Sequence, residues 1–150
     1  MAVYRPEERR LVLRLMAYWD DLRNEREYPT VNEIDPATIG DDWPNCFVLE
    51  LAEPVSASRL RAIGENLLNG HGVETGTQIA DCPADTLLYQ ALKPLNRMLD
   101  KRIPMSIGGE AEIGGTPTLY RSILLPLSDD EATIDHVLGA ANGKPADGSA

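Results

Sequence analysis

The sequence contains four side chains with the chemistry of metal ligands or nucleophiles: Cys46, Cys82, His71 and His136. Zinc sites take Cys and His in close pairs such as C-x-x-C or H-x-x-x-H, and no such spacing occurs here. A nucleophilic serine or cysteine needs a base within hydrogen-bonding reach and a third group that orients the base, and two distant histidines offer little to build this. We therefore predict no catalytic residues, no metal site, and two reduced thiols.

Paired acidic residues and paired glycines could belong to a calcium loop or a phosphate-binding loop. The pairs Asp41-Asp42 and Asp129-Asp130 lack the regular oxygen spacing of a calcium loop. The pairs Gly108-Gly109 and Gly114-Gly115 neither precede a predicted helix nor belong to a G-x-x-x-x-G-K-[ST] motif. All four pairs are therefore interpreted as solvated turns or strand bulges.

The composition is that of one small acidic domain. The chain has 150 residues, of which 43% are apolar and only 5% aromatic, so its core must be mostly aliphatic. Its net charge of −10 argues against nucleic acid and anionic membranes as partners. The first residues lack the apolar core of a secretory signal, and no apolar run reaches the length of a membrane span. These features predict a cytoplasmic protein.

The elements that would position these residues begin with an amphipathic helix. Apolar periodicity places it from about Glu7 to about Glu27, and we assign residues 1–27 to it. Its apolar stripe is wider than one contact surface needs, which predicts contact with its own domain and with a partner chain, most simply in a homodimer. The residues that we assign to this partner surface are Leu11, Leu13, Leu15, Tyr18, Trp19 and Leu22.

Two strands, short helical pieces, a longer helix and three strands follow. This order predicts an α+β fold: one five-stranded antiparallel sheet with helices on one face and the extra N-terminal helix. Pro94 predicts a kink or break in the longer helix. We place the domain at residues 28–141 and expect residues 142–150 to be a disordered tail. The predicted strands are Cys46–Leu51, Arg59–Gly64, Pro104–Ile113, Thr116–Leu127 and Thr133–Gly139.

This order of elements is that of PAS domains, preceded by an extra helix, and local motifs sharpen the resemblance. The chain resembles PAS_5, a bacterial PAS family known mainly from alphaproteobacteria as small, often free-standing proteins. One departure is Glu65, at a position where the family pattern leads us to expect Thr. The resemblance covers about residues 8 to 141 and implies a sensory or interaction module without chemistry of its own. The motifs that carry it are Tyr18–Arg23, Asp35-Pro36, Arg59–Gly64, Thr75-Gly76, Leu124–Asp130 and Val137–Gly139.

We expect neither flavin nor haem as a cofactor, and the identity of any cofactor stays unassigned. The light-sensing PAS branch carries its reactive cysteine in a helical segment, whereas Cys46 begins a predicted strand and Cys82 precedes Pro83. A haem sensor needs an axial histidine on or near the long helix, and residues 84–102 contain none.

A small-molecule pocket in this fold would lie between the inner face of the sheet and the helix at residues 84–100. Ligand contact and plain core packing both remain open for its lining. Arg61 and Arg121, central in predicted strands, are the candidates to meet an acidic ligand, or else pair with Glu50 or Glu112. The other candidate lining residues are Phe47, Leu49, Leu88, Leu92, Met105 and Tyr120.

The sequence thus predicts a free-standing PAS-like sensory or regulatory domain, not an enzyme, that acts through an unidentified signalling protein. Binding of a small ligand stays open. The alternative is a small α+β enzyme of the cone-shaped isomerase or dehydratase type. That alternative would require a buried Asp/His or Tyr/Asp pair in the concave face of the sheet.

Overall fold

A five-stranded antiparallel sheet forms the centre of the protein, in the strand order β2-β1-β5-β4-β3. The computed structural model describes residues 6–68 and 73–146, with side chains from residue 10 onward. This architecture confirms the predicted fold. The strands are β1 Cys46–Glu50, β2 Arg59–Ile63, β3 Met105–Ile113, β4 Thr116–Leu127 and β5 His136–Pro145.

The helices cover both faces of this sheet. We call the face that carries α3 and α4 the inner face, and the face that carries α1 the outer face. Short 3-10 turns occupy Val31–Glu33, Gly40–Asn45, Val55–Ala57, Glu65–Leu67 and Ile79–Asp81. The helices are α1 Pro6–Arg23, α2 Pro36–Ile39, α3 Leu87–Leu92 and α4 Leu95–Lys101.

The inner face is closed by α3 and α4, which the predicted break separates. Helix α3 begins after Thr86, whose hydroxyl accepts a hydrogen bond from the backbone N–H of Tyr89 at 3.1 Å. It ends at Leu92, and α4 begins directly after Pro94, which has no N–H to continue the helix. The core on this side includes the fully buried Phe47, Leu49, Leu88, Met98, Leu124, Val137 and Ala141.

The outer face is covered by α1, which packs against β4 and β5 of its own domain. Leu15 and Trp19 are buried in this core, and the Trp19 indole donates a hydrogen bond to the carbonyl oxygen of Pro126 at 2.8 Å. Helix α1 ends at Arg23, earlier than the predicted Glu27, because Asn24 adopts a left-handed conformation with φ of 58°. Helix α1 and the sheet therefore share one core, so our boundary between residues 27 and 28 does not divide the structure.

Strand β5 contradicts the prediction of a disordered tail over residues 142–150. It continues to Pro145, and its last residues pair with Thr118–Arg121 of β4. The composition of this stretch is typical of a loop, but pairing with the long strand β4 satisfies its backbone groups whatever the side chains are. Residues 147–150 lie outside the described part of the chain.

Candidate functional site

Six of the predicted pocket residues do lie together on the inner face. Phe47, Leu49 and Leu88 are fully buried in one hydrophobic cluster, and partly buried residues pack around them. These flanking residues are Leu92, Met105 and Tyr120. The centre of the predicted pocket is therefore occupied by core side chains.

The Phe47 ring fills the middle of this face because its partner on the neighbouring strand is a glycine. Phe47 lies opposite Gly139 in the register of β1 and β5. A Cβ atom on Gly139 would lie 2.1 Å from Cζ of Phe47, so the ring rests directly on the glycine backbone. Only glycine leaves room for the ring at this position.

Arg61 and Arg121 lie on the outer face, which corrects their assignment to the inner pocket. A β-bulge explains Arg61: Val48 pairs with Ala62 and Leu49 pairs with Leu60, so Arg61 has no opposite residue on β1. Arg121 alternates with Tyr120 and Ser122 along β4 and so projects to the opposite side. The guanidinium of Arg121 lies across Gly108 of the edge strand β3.

An open groove of about 500 Å³ runs beside α3 and α4, next to the predicted pocket but outside the core. Leu92 is a predicted pocket residue that lines it, whereas Tyr89 and Ile79 were not predicted. Tyr89 is 37% exposed, and the Lys93 ammonium lies 5.9 Å from the centroid of its ring. The complete lining is Val55, Ser56, Ile79, Ala80, Tyr89, Leu92, Lys93, Leu95 and Asn96.

A chain of polar contacts around the buried His136 lies on the outer face at the start of β5. His136 Nδ1 lies 2.7 Å from Oδ1 of Asp135, and Nε2 lies 3.2 Å from a terminal nitrogen of Arg61. A guanidinium can only donate, so Nε2 is the acceptor and the proton of a neutral ring is on Nδ1. The second oxygen of Asp135 accepts from the backbone N–H of Asp129 at 2.8 Å. These contacts therefore end on a cation and not on a nucleophile.

Both thiols lie in surroundings that suppress their reactivity. Burial raises the pKa of Cys46 to about 12, and its Sγ lies 3.3 Å from the carbonyl oxygen of Asp42. Burial also raises the pKa of Cys82, with a smaller contribution from the charge of Asp81. Thiols that stay protonated are poor nucleophiles and poor metal ligands. Within residues 6–68 and 73–146 no three His, Cys, Asp or Glu side chains cluster as metal ligands would, and His71 lies outside those residues.

The partner surface predicted on α1 is only partly available. Leu11, Leu15 and Trp19 belong to the chain's own core, which corrects their assignment to a partner contact. Leu13 is 59% exposed on the opposite side of the helix. The remaining predicted residues, Tyr18 and Leu22, are half-buried. The Tyr18 hydroxyl accepts a hydrogen bond from the backbone N–H of Asp35 at 2.9 Å.

The strand order, with two strands before the helical segment and three after it, agrees with the PAS fold that the sequence predicts. The model of the PAS_5 family, described as a PAS domain, matches residues 8–142. The chain belongs to the PAS_5 family. The match includes nearly all of α1, in agreement with the burial of that helix in the core of this PAS_5 domain.

Several solved structures resemble this PAS_5 domain at low sequence identity. The PAS domain of BvgS from Bordetella pertussis has a TM-score of 0.46 and 14% identity, over 68% of this chain and 76% of that chain. A light-oxygen-voltage domain studied with a flavin analogue has a TM-score of 0.47 and 13% identity, over 69% and 78% of the two chains. A fungal light-oxygen-voltage photoreceptor has a TM-score of 0.45 and 12% identity, over 91% and 90%. No ligand or activity transfers at these identities.

No curated protein is significantly similar to the chain. In the part of the chain that the structure describes, no helix combines the length and the apolar character needed to cross a membrane. Membership of a PAS family supports a sensory or regulatory role, and PAS domains are generally not enzymes.

Proposed function

We propose that this PAS_5 domain is a regulatory module that acts by binding a partner protein through the groove beside α3 and α4. The observation that supports this most directly is the contrast between the two candidate surfaces. The inner face is filled by Phe47 and its aliphatic neighbours, whereas the groove is open and has an apolar floor that includes Leu92 and Leu95.

The side chains at the rim of the groove suit a protein partner. Tyr89 combines a large apolar ring with a polar hydroxyl, and tyrosine is enriched at the centres of protein interfaces. Lys93 adds a positive charge next to that ring in a chain whose net charge is −10. A partner with an apolar residue for the floor and an acidic residue for Lys93 would complement this surface.

Affinity capture from native cells tests the proposal with a matched pair of variants. Tyr89→Ser changes the groove, whereas Ile103→Ser changes a residue that is 54% exposed and does not line it. We expect a protein that wild type and Ile103→Ser both retain, quantified by mass spectrometry, and that Tyr89→Ser loses by at least about tenfold. An identical set of captured proteins for all three would refute the groove as the binding surface.

We also propose that the domain dimerises through the exposed side of α1. The motivating residue is Leu13, which is apolar and 59% exposed on the side of α1 away from the core. Size-exclusion chromatography with light scattering should give a dimer for wild type and a monomer for Leu13→Glu. A wild-type monomer at high micromolar concentration would contradict the dimer.

The alternative of a small enzyme gains no support from the geometry. It requires a buried Asp/His or Tyr/Asp pair in the concave face of the sheet, and Asp135 and His136 do form an Asp/His pair. That pair lies on the outer face, and the second ring nitrogen of His136 already accepts from Arg61. Neither the arrangement nor the protonated thiols provide an activated nucleophile.

A further inference from the structure

A second recess lies on the outer face, on the side of the sheet opposite the groove. It has a volume of about 220 Å³ and lies between the connector that follows α1 and the surface of β1 and β2. Val48 and Ala62 form its floor, and Val31, Ile34 and Trp43 form its apolar walls. Arg61 lies at its rim. We call this recess the Arg61 pocket.

The wall that contains Trp43 is held against the end of β2 by a close backbone contact. A Cβ atom on Gly64 would lie 2.3 Å from the carbonyl oxygen of Pro44 and 2.4 Å from that of Trp43. The neighbouring Asp42 is fixed from the other side, because both of its oxygens accept from Arg14 at 2.6 and 2.7 Å. The segment that carries Trp43 is therefore anchored on both sides, by Gly64 and by Arg14.

The Arg61 guanidinium is oriented without being neutralised. Its hydrogen bond within the described residues goes to the neutral ring of His136, which is only 9% exposed and is itself held by Asp135. No ion pair joins Arg61 to a carboxylate of residues 10–68 or 73–146. A planar guanidinium has five N–H donors, so most of them remain for an anion at the pocket.

Three acidic residues of the connector, Glu33, Asp35 and Asp42, bond to groups other than Arg61. Glu33 pairs with Arg26 at 2.9 Å, and Asp42 pairs with Arg14. Asp35 accepts from the backbone N–H of Ala37 and from the hydroxyl of Thr38. Arg61, an exposed cation bonded to His136, thus lies beside an apolar recess in a chain with 24 acidic residues.

We propose that the Arg61 pocket binds a small carboxylate with a short branched or aromatic body. The carboxylate takes two N–H groups of Arg61 in a forked pair, and the body lies between Trp43, Ile34 and Val48. The volume of about 220 Å³ lies below the range of about 300–1,000 Å³ for drug-sized sites and so limits the ligand to a small molecule. This site is independent of the proposed groove, because the two sites share no residue.

NMR titration of the two tryptophan indole N–H signals tests the proposal. The probes are 4-methylpentanoate and its uncharged amide. Trp43 lines the pocket, whereas the buried Trp19 indole is bonded to Pro126 and serves as the internal reference. We expect a saturable shift of the Trp43 signal with the carboxylate, an unchanged Trp19 signal, and about tenfold or weaker binding of the amide. No saturable shift, or equal affinity for both probes, would overturn the proposal.

Three variants separate ionic recognition from general effects on the fold. Arg61→Gln should remove the preference for the carboxylate, while Arg59→Gln should preserve it, because Arg59 lies outside the pocket and donates to the carbonyl of Gly76. Ala62→Leu fills the floor and should weaken both probes. If Arg61→Gln retains the carboxylate preference, or if Ala62→Leu leaves affinity unchanged in a protein with a native spectrum, the site is not this pocket.

Discussion

The inner and outer faces of the sheet are covered in different ways. Two short helices close the inner face, and the contacts that fill its centre are apolar, as between Phe47 and Leu88. On the outer face, α1 and an irregular connector add polar tethers, including Trp19 to Pro126. All three ion pairs between an arginine and a carboxylate found among the described residues involve α1 or the connector.

The difference follows from the kind of segment that covers each face. A helix satisfies most of its own backbone groups, so α3 and α4 can be held mainly by packing. The connector from Asn24 to Asn45 contains only α2 and two 3-10 turns. Some of its backbone N–H groups therefore donate hydrogen bonds to side chains, such as those of Asp35 and Glu33. The segments that cover the outer face thus combine apolar packing with hydrogen bonds and ion pairs, and the Arg61 pocket lies among these segments.

The largest expected effect concerns the outer face and α1. Trp19→Ala should lower the free energy of unfolding by about 3–5 kcal/mol, because it removes a buried ring and leaves a cavity. Urea denaturation followed by circular dichroism measures this loss. Ile103→Ala, at a residue that is 54% exposed, is the control and should change stability by no more than about 0.5 kcal/mol. Equal stability of the two variants would mean that α1 is not part of the core.

The inner face is tested by a glycine. Gly139→Ala should cost about 1–3 kcal/mol, because its new methyl group would overlap the Phe47 ring. Gly109→Ala is the matched control in the edge strand β3, where the nearest atom to the new Cβ would be a Tyr120 oxygen at an ordinary 3.5 Å. Phe47→Leu should restore part of the loss in the Gly139→Ala background. A neutral Gly139→Ala would indicate unoccupied space on the inner face.

Much of the fold could be predicted because local patterns and backbone chemistry coincide. Four of the five predicted strands, the break at Pro94 and the turn at Gly114 and Gly115 fall where the sequence placed them, whereas β5 begins at His136 and not at Thr133. Both glycines of that turn have positive φ, 58° and 83°, as a tight hairpin requires. Long-range pairing was less visible: residues 142–145 have loop composition but form the end of β5.

The candidate sites were harder to predict because they depend on register. One bulged residue turns Arg61 to the outer face, and no local pattern in Arg59–Ile63 marks that bulge. The groove combines Tyr89 with Val55 and Ile79, which come from three separate segments. Tyr89 follows the buried Leu88 in α3 but is 37% exposed, and the sequence prediction did not include it.

A smaller effect is expected for the tether between Arg14 and Asp42. The pair is bidentate, but the Arg14 side chain is 51% exposed, so solvent screens it. A double-mutant cycle with Arg14→Gln and Asp42→Asn should give a coupling energy of about 0.5–1 kcal/mol at low salt. The coupling should decrease in 1 M salt, where the screening length is only about 3 Å. Zero coupling at low salt would show that packing alone holds the segments that cover the outer face.

The smallest expected effect is a pH dependence carried by Glu33. Its carboxylate accepts from the backbone N–H of Thr30 at 2.9 Å, and this hydrogen bond lowers its pKa, with a further contribution from Arg26. Because the folded pKa lies below the unfolded value of about 4.3, the stabilisation is complete above that value and is lost as pH falls through the folded pKa.

The stability difference between wild type and Glu33→Gln should therefore shrink as pH falls from about 6 to about 3. Denaturation at each pH measures this difference, with Ile103→Ala as a control because the substituted side chain is exposed and does not titrate. If the stability difference between wild type and Glu33→Gln stays constant with pH, the loss of stability in Glu33→Gln comes from altered hydrogen-bond geometry. The charge of Glu33 would then have no part in holding the connector over the outer face.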